Sequence, residues 1–314
     1  ELDKPSGIAG EAMLRAETPQ EQFNLIGAGR RNLIINGDMK VAQRGTSFTS
    51  HSGYTLDRYK GFGHTYNQID NGDFYSLRML WVTGTDANIY YPVELERGQL
   101  ENGQTYTLSF KYKSAGTSMT LECFYRQSTS GSSVVSQIPV QTLPDSSEFT
   151  DYSITFTCSG RIAAHGALNI RFGNASGTKE IANLQLELGK VATPFEHRSY
   201  GEELALCQRY FVRFDGNTEH IGQNYSGTTI DINVALPVYM RSTPTLVCED
   251  AQGTANKASV YSGGYNHGIS AVISAGRSRG NQTMIRISGT LSPAGAVNDC
   301  VQVQFDDLQF SAEL

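Results

Sequence analysis

The stretch LQLELGKVATPFEHRSYGEELALCQRYF, residues 184–211, contains the transition that organises this chain. It begins with a leucine at every second position, the period of a half-buried β-strand. Pro194 then interrupts strand pairing, because proline has no backbone N–H to donate. Ser199, followed three residues later by Glu202, has the pattern of a helix capping box. The stretch therefore predicts a strand, a break and a short connector helix at 199–211 between two modules.

Five segments up to this break alternate apolar and polar residues with a period of two. Such alternation is typical of antiparallel strands that bury one face. We predict that residues 32–198 form an antiparallel jelly-roll sandwich. The residues expected to point inward are Tyr106, Leu108, Phe110 and Tyr112; Met119, Leu121, Cys123 and Tyr125; Tyr152, Ile154, Phe156 and Cys158; Leu168, Ile170 and Phe172; and Ala182, Leu184, Leu186 and Leu188.

The two ends of the chain differ from this body. Residues 212–314 alternate again, as in Val301, Val303 and Phe305, and predict a second, smaller β domain. Residues 1–31 predict an attachment or linker segment with a short helix near 19–26, beginning with Pro19 at its first position. Its apolar side chains are too few for a core and are expected to pack on a partner chain or on the domain behind them: Met13, Leu14, Phe23 and Leu25.

Composition excludes several functional classes. The 314 residues suggest two domains, and a net charge of -6 without a long basic run argues against a nucleic-acid surface. No apolar stretch approaches the roughly 18 residues of a membrane helix, so we expect no membrane insertion. The five cysteines have no C-x-x-C spacing and are expected to be buried free thiols. Neither a metal-binding histidine motif nor a phosphate loop occurs, so we predict no metal, no cofactor and no catalytic residue.

Several motifs together resemble tailed-bacteriophage tail-fibre and related virion structural proteins. They are RNLIINGDMKVAQRGTSF (31–48), YTLDRY (54–59), YTLSFKYKS (106–114), the stretch 184–211 and LPVYMRSTPTL (236–246). Residues 32–198 are also similar to jelly-roll carbohydrate-binding modules, through an opening N-G-D strand, a Y-x-L-S-F strand and a closing L-x-L-E-x-G-x-x-A-T-x-F strand. In those modules an acidic residue soon after N-G-D often helps to hold calcium. Here Met39 and Lys40 follow Asp38, and only Asn36, Asp38 and Glu187 remain as candidate ligands.

The resemblance implies a homotrimeric virion appendage, made in the host bacterial cytoplasm. We expect a tail fibre that contacts the host surface, through a glycan, without catalysis. The N-terminal segment, with Met13, Leu14, Phe23 and Leu25, would attach it to other virion proteins. Two alternatives stay open: a purely structural capsid fibre, decoration or fibre segment, and a polysaccharide-degrading tailspike. Against the last, no β-helix repeat is visible, and acids adjacent in sequence on a strand point to opposite faces.

Candidate ligand residues are aromatic, because sugar C–H faces stack on aromatic rings while hydroxyls need polar partners. The loop YSGGYNHG, residues 261–268, places two tyrosines and two polar side chains among glycines. A second group of aromatic residues lies within residues 54–91, where most rings are expected in the core. The predicted ligand residues are Tyr261, Tyr265, Asn266 and His267 in the loop, and Trp81, Tyr90 and Tyr91 in the second group.

Overall fold

The computed structural model describes residues 31–80, 88–94, 100–126, 134–160, 167–173, 176–224, 229–262, 265–266, 272–275, 284–290 and 300–313. Within these ranges the protein is all-β with one short helix, as predicted. The predicted N-terminal helix, with Met13, Leu14, Phe23 and Leu25, lies outside them. The chain divides into two compact units, Glu1–Arg198 and Ser199–Glu313, which we call the N-terminal and C-terminal units.

No helix in the described ranges is long and apolar enough to cross a bilayer.

The N-terminal unit is an antiparallel sheet that curls on itself. Its hydrogen-bonded order is β7-β6-β9-β4-β2-β3-β10-β5-β8, with β1 paired to β2. The strands are β1 (Ser47–Tyr54), β2 (Lys60–Asp70), β3 (Tyr75–Leu80), β4 (Asn88–Glu94), β5 (Thr105–Ala115), β6 (Met119–Arg126), β7 (Val134–Leu143), β8 (Ser146–Thr157), β9 (Ala167–Gly173) and β10 (Thr178–Leu188).

A corner in β2 lets one continuous sheet make both layers of the predicted sandwich. Residues Lys60–Phe62 pair with β4, whereas Thr65–Asp70 pair with β3. Between them Gly63 has a φ of 68°, a conformation that glycine adopts without the steric cost of a Cβ. A strand that changes partners at such a bend carries the sheet from one layer to the other.

The core of this unit contains the inward sets that alternation predicts. The five sets are buried, except that Tyr152, Ile154 and Leu188 are half-buried and pack against the others. Phe110 on β5 and Phe172 on β9 meet edge to face, with ring centroids 5.0 Å apart, although these strands are not neighbours in the sheet. This contact across the core shows that the two layers face each other.

The opening N-G-D segment is not a strand, which corrects the expectation drawn from the resemblance. Residues 31–46 are irregular, and Asn36 and Met39 have φ values of 60° and 58°. The Asn36 side chain donates to the carbonyls of Val41 and Asp57 and accepts from the Val41 N–H. They supplement two backbone bonds to β10, from the Leu33 N–H to the Leu186 carbonyl and from the Leu184 N–H to the Gly37 carbonyl, both 2.8 Å.

The helix α1 (Tyr200–Gln208) opens the C-terminal unit and is shorter than the predicted 199–211. Ser199 is its N-cap, and its Oγ accepts from the Glu202 N–H at 3.3 Å. The helix ends because Phe211 already belongs to a strand that pairs with Ser311. Cys207 and Glu203 are its buried residues.

The rest of this unit is a second antiparallel sheet in the order β15-β14-β18-β11-β12-β17-β16, with β13 paired to β18. Its core is built on alternating residues of β18, including the predicted Val301, Val303 and Phe305. The strands are β11 (Phe211–Asn224), β12 (Thr229–Ala235), β13 (Thr245–Glu249), β14 (Ser259–Ser262), β15 (Tyr265–Asn266), β16 (Val272–Ala275), β17 (Met284–Thr290) and β18 (Cys300–Ser311).

All five cysteines are free thiols, but only four are buried, which corrects the expectation for Cys300. Burial raises the pKa of the Cys123 thiol, and burial and then the charge of Asp250 raise the pKa of Cys248 to about 11.

Because the thiolate is the reactive form, we expect one thiol per folded chain, the exposed Cys300, to react rapidly with a disulfide reagent at pH 8. The control is the urea-unfolded chain, in which all five should react; rapid labelling of two or more in the folded chain would contradict the buried positions.

Candidate functional site

A row of aromatic and charged side chains crosses four neighbouring strands of the N-terminal unit, in the order β2-β4-β9-β6. Alternation turns these side chains outward, because the intervening Gly61, Ile89, Ile170 and Cys123 are buried. We call this surface the aromatic platform. Its members are Lys60 and Phe62 on β2, Tyr90 on β4, Arg171 on β9, and Glu122 and Phe124 on β6.

Strand register brings the platform residues together. Lys60 lies opposite Tyr90, Tyr90 opposite Arg171, and Arg171 opposite Glu122. Directly opposed residues on antiparallel strands have Cβ atoms about 4.5–5.5 Å apart, so their side chains contact one another. The platform is thus assembled from segments far apart in sequence.

Three rings form the apolar part of the platform. Phe62 and Tyr90 pack edge to face with centroids 5.1 Å apart, and Tyr90 and Phe124 do the same at 6.5 Å. Phe62 is 38% exposed. Tyr90 is half-buried, and Phe124 is almost covered. A ring row open to solvent at one end offers a stacking surface.

Arg171 ties the polar part of the platform to the rings. Its guanidinium forms an ion pair with Glu122 and donates to the Tyr90 hydroxyl at 3.5 Å. The Arg171 Cζ also lies 5.9 Å from the Phe124 ring centroid. On the other side, the Lys60 Nζ lies 5.5 Å from the Phe62 centroid. Charged donors and acceptors therefore border the rings, as hydrogen bonding to hydroxyl groups requires.

The structure separates the three predicted ligand residues of the 54–91 group. Tyr90 belongs to the platform. Tyr91 is next to it on the strand and therefore points to the opposite face, into the core, where it is 1% exposed. Its hydroxyl accepts from the Ile35 N–H at 2.7 Å and donates to the Ile35 carbonyl at 2.8 Å. The predicted ligand role of Tyr91 is therefore wrong. Trp81 lies outside the described residues.

Of the predicted loop of the C-terminal unit, the described residues belong to β14 and β15, which pair with Tyr261 opposite Asn266 and Ser262 opposite Tyr265. Tyr261 is half-buried and also lies opposite Gln302 of β18. His267 is outside the described residues. The ligand role of Tyr261, Tyr265, Asn266 and His267 stays a prediction.

Five platform residues were not among the predicted ligand residues: Lys60, Phe62, Glu122, Phe124 and Arg171. One signal was present in the sequence. In MTLECFYR, residues 119–126, Phe124 occupies the polar face of an alternating strand, where an aromatic side chain would be exposed. Nothing in the sequence indicates that Phe124 lies near Tyr90, because that proximity depends on the pairing of β6, β9 and β4.

The candidate calcium ligands named above serve other roles. Glu187 accepts from the N–H and hydroxyl of Thr193 at 2.8 and 2.7 Å, and Asp38 forms an ion pair with Lys40 at 2.5 Å. Within the described ranges, no group of three or more histidine, cysteine or acidic side chains is arranged to hold a metal ion.

No protein-family model matches this sequence, and no curated protein matches it either. Among solved structures, the enzymatically active domain of bacteriophage CBA120 tailspike protein 4 is similar over 50% of this chain and 21% of that chain, at 16% identity and a TM-score of 0.36. This chain thus corresponds to about a fifth of the tailspike chain.

Two further structures are binding modules. The CBM22-2 xylan-binding domain of Xyn10C from Paenibacillus barcinonensis is similar over 42% of this chain and 92% of that domain, at 10% identity and a TM-score of 0.34. TmCBM61, solved with β-1,4-galactotriose, is similar over 51% of this chain and 99% of that module, at 12% identity and a TM-score of 0.33. Likeness at this level concerns the fold and does not indicate what this chain binds.

Proposed function

We propose that the chain binds a glycan through the aromatic platform and catalyses no reaction on it. The observation that carries this proposal is the ring row Phe62–Tyr90–Phe124 beside the Arg171–Glu122 ion pair on the outward face of four strands. Pyranose rings have apolar C–H faces and a hydroxyl rim. A surface that combines exposed ring area with fixed charged donors and acceptors matches both parts.

Preorganisation supports binding at this surface. Arg171 is held by Glu122 and Tyr90, and the rings are held by one another, so little side-chain entropy is lost when a ligand arrives. The platform also lies on strands rather than on loops, which fixes its geometry. The Glu122 carboxylate is paired with Arg171, whereas a general acid must carry a proton that it can donate. This pairing favours binding over hydrolysis.

The wider part of the proposal rests on the sequence resemblance. The motifs 31–48 and 184–211 support a homotrimeric tail-fibre component of a phage virion, made in the host cytoplasm and attached to other virion proteins through residues 1–31. In that setting the platform would contact a glycan of the host cell surface. A purely structural fibre segment would carry the same strand pattern, so glycan binding itself is the discriminating property.

The proposal is tested by applying the purified chain to an array of bacterial surface polysaccharides and their oligosaccharides. We expect saturable binding to a subset of them and, on incubation with a bound polysaccharide, no increase in reducing ends. The control is the chain with Tyr90→Ala, which should lose most of the signal. If the chain binds no glycan on the array, the glycan-binding proposal is wrong and a purely structural role remains. If reducing ends increase, the chain cleaves the polysaccharide and a polysaccharide-degrading tailspike is favoured.

A further inference from the structure

A cleft of about 470 Å³ lies beside β5, β8 and β10, strands that carry no platform residue. Its volume is within the range of about 300–1,000 Å³ that is usual for small-ligand sites. Its polar lining consists of Ser109, Lys111, Asp151, Ser153, Asn183 and Thr193. Tyr152, Pro194 and Phe195 contribute apolar surface.

A β-bulge places Asn183 at this cleft. Ala182 pairs with Lys111 and the next pair is Gln185 with Ser109, so β10 has one residue more than β5 at this point. Asn183 has a φ of 50°, which asparagine tolerates better than most residues. Bulges redirect side chains and are frequent beside functional sites.

The Asn183 amide has unused hydrogen-bonding capacity. Its Oδ1 is buried and accepts no hydrogen bond within the described part of the chain. Buried side-chain polar atoms nearly always have a partner, so an unsatisfied one requires an explanation. A ligand hydroxyl in the cleft would be such a partner once the Asn183 amide rotates toward it, because Oδ1 has almost no accessible surface in this structure.

The segment that contributes Thr193 to the cleft is held by hydrogen bonds to β10. Thr193 donates its N–H and its hydroxyl to Glu187, and the Glu196 N–H donates to Gln185 Oε1 at 2.9 Å. Glu187 and Gln185 are 3% and 0% exposed. The Thr193 hydroxyl donates to Glu187 and accepts from Gln185 Nε2 at 3.4 Å, which leaves one lone pair on its oxygen to accept from a ligand.

The ion pair at the rim is the adaptable part of the cleft. Lys111 Nζ lies 2.8 Å from Asp151 Oδ1, and the Asp151 side chain is 81% exposed. An exposed pair of this kind contributes little to stability and can turn toward a ligand. Hydroxyls, an amide and a charged pair around aromatic surface suit a neutral sugar, whose hydroxyls both donate and accept.

We propose that this cleft is a second glycan-binding site, for one or two hexose units, independent of the platform. The inference extends the proposed glycan binding of this chain. Two weak sites on different strands of one unit would bind a polymeric glycan with avidity that neither has alone. Three copies in a trimer would increase it further.

The test uses the full-length ¹⁵N-labelled chain, titrated separately with cellobiose, lactose and maltose at millimolar concentration. At least one sugar should shift the amide signals of Ser109, Ser153, Asn183 and Thr193. Asn183→Gly, which removes the amide but accepts the left-handed φ, should weaken those shifts about tenfold in affinity, the effect of one lost hydrogen bond. Ser153→Arg should block the cleft while leaving Asn183 in place.

Two controls separate the two sites. Val191→Ala changes an exposed side chain outside the lining and should have no effect, and Tyr90→Ala should leave the cleft shifts unchanged. The cleft proposal is wrong if no sugar shifts these signals, or if Asn183→Gly and Ser153→Arg both show the same shifts as the wild type. If the amide signals of the cleft residues shift and those of the platform residues do not, the proposed function of the platform is overturned and the cleft remains as the glycan site.

Discussion

Replacing Asn32 with alanine is expected to lower the free energy of unfolding of the N-terminal unit by about 3 kcal/mol, because it leaves several buried backbone groups without partners. Asn32 is 4% exposed. Its Nδ2 donates to the Leu184 carbonyl at 3.1 Å, and its Oδ1 accepts from the N–H groups of Ile34 and Leu186 at 2.9 and 3.1 Å. One side chain thus joins the irregular opening segment to β10.

Urea unfolding followed by tryptophan fluorescence measures this change. The single tryptophan, Trp81, belongs to the sequence of the N-terminal unit, so its signal follows that unit. The matched control is Asn71→Ala, which removes an exposed asparagine that also forms side-chain hydrogen bonds and should cost less than about 1 kcal/mol. Equal midpoints for wild type and Asn32→Ala would show that the Asn32 contacts do not hold the opening segment.

The double replacement Phe62→Ala/Tyr90→Ala is expected to weaken glycan binding about a hundredfold. Each ring that stacks on a sugar contributes about 1–2 kcal/mol, and each 1.4 kcal/mol is a factor of ten in the dissociation constant. Because the two rings contact each other, the loss of binding free energy in the double variant need not equal the sum of the losses in the two single variants. Titration calorimetry with the tightest oligosaccharide from the array measures the change.

Tyr239→Ala is the control for this variant, because it removes a tyrosine that is 54% exposed in the C-terminal unit. Its affinity should equal that of the wild type. Loss of binding in Tyr239→Ala with retention in Phe62→Ala/Tyr90→Ala would place the binding surface away from the platform.

Much of the fold follows from the sequence, because strands that bury one face carry a period-two pattern. The inward sets from Tyr106 to Leu188 were predicted for this reason and are confirmed. The cap at Ser199 was predicted from its spacing to Glu202 and is also confirmed. The irregular opening segment was not predicted. Several of its backbone groups are satisfied by the Asn36 side chain, and such bonds produce no periodic pattern in the sequence. The end of the helix at Gln208 was also missed, because Tyr210 and Phe211 continue its apolar spacing.

The candidate site was less predictable. Tyr90 was among the predicted ligand residues, but its neighbours follow from register: residue 90 lies opposite residue 60 on one side and residue 171 on the other. Sequence patterns fix which face a residue takes but not which distant strand lies beside it. The outward face also resembles an ordinary solvated face until Phe62, Phe124 and Arg171 are brought together.

A crystal structure of the chain with the oligosaccharide selected by the array tests glycan binding at the platform most directly. We predict a sugar ring stacked on Tyr90 and in contact with Phe62, with a hydroxyl hydrogen-bonded to Arg171 or Glu122. A sugar bound elsewhere, for example at the hairpin of Tyr261 and Asn266, with the platform empty, would contradict the assignment.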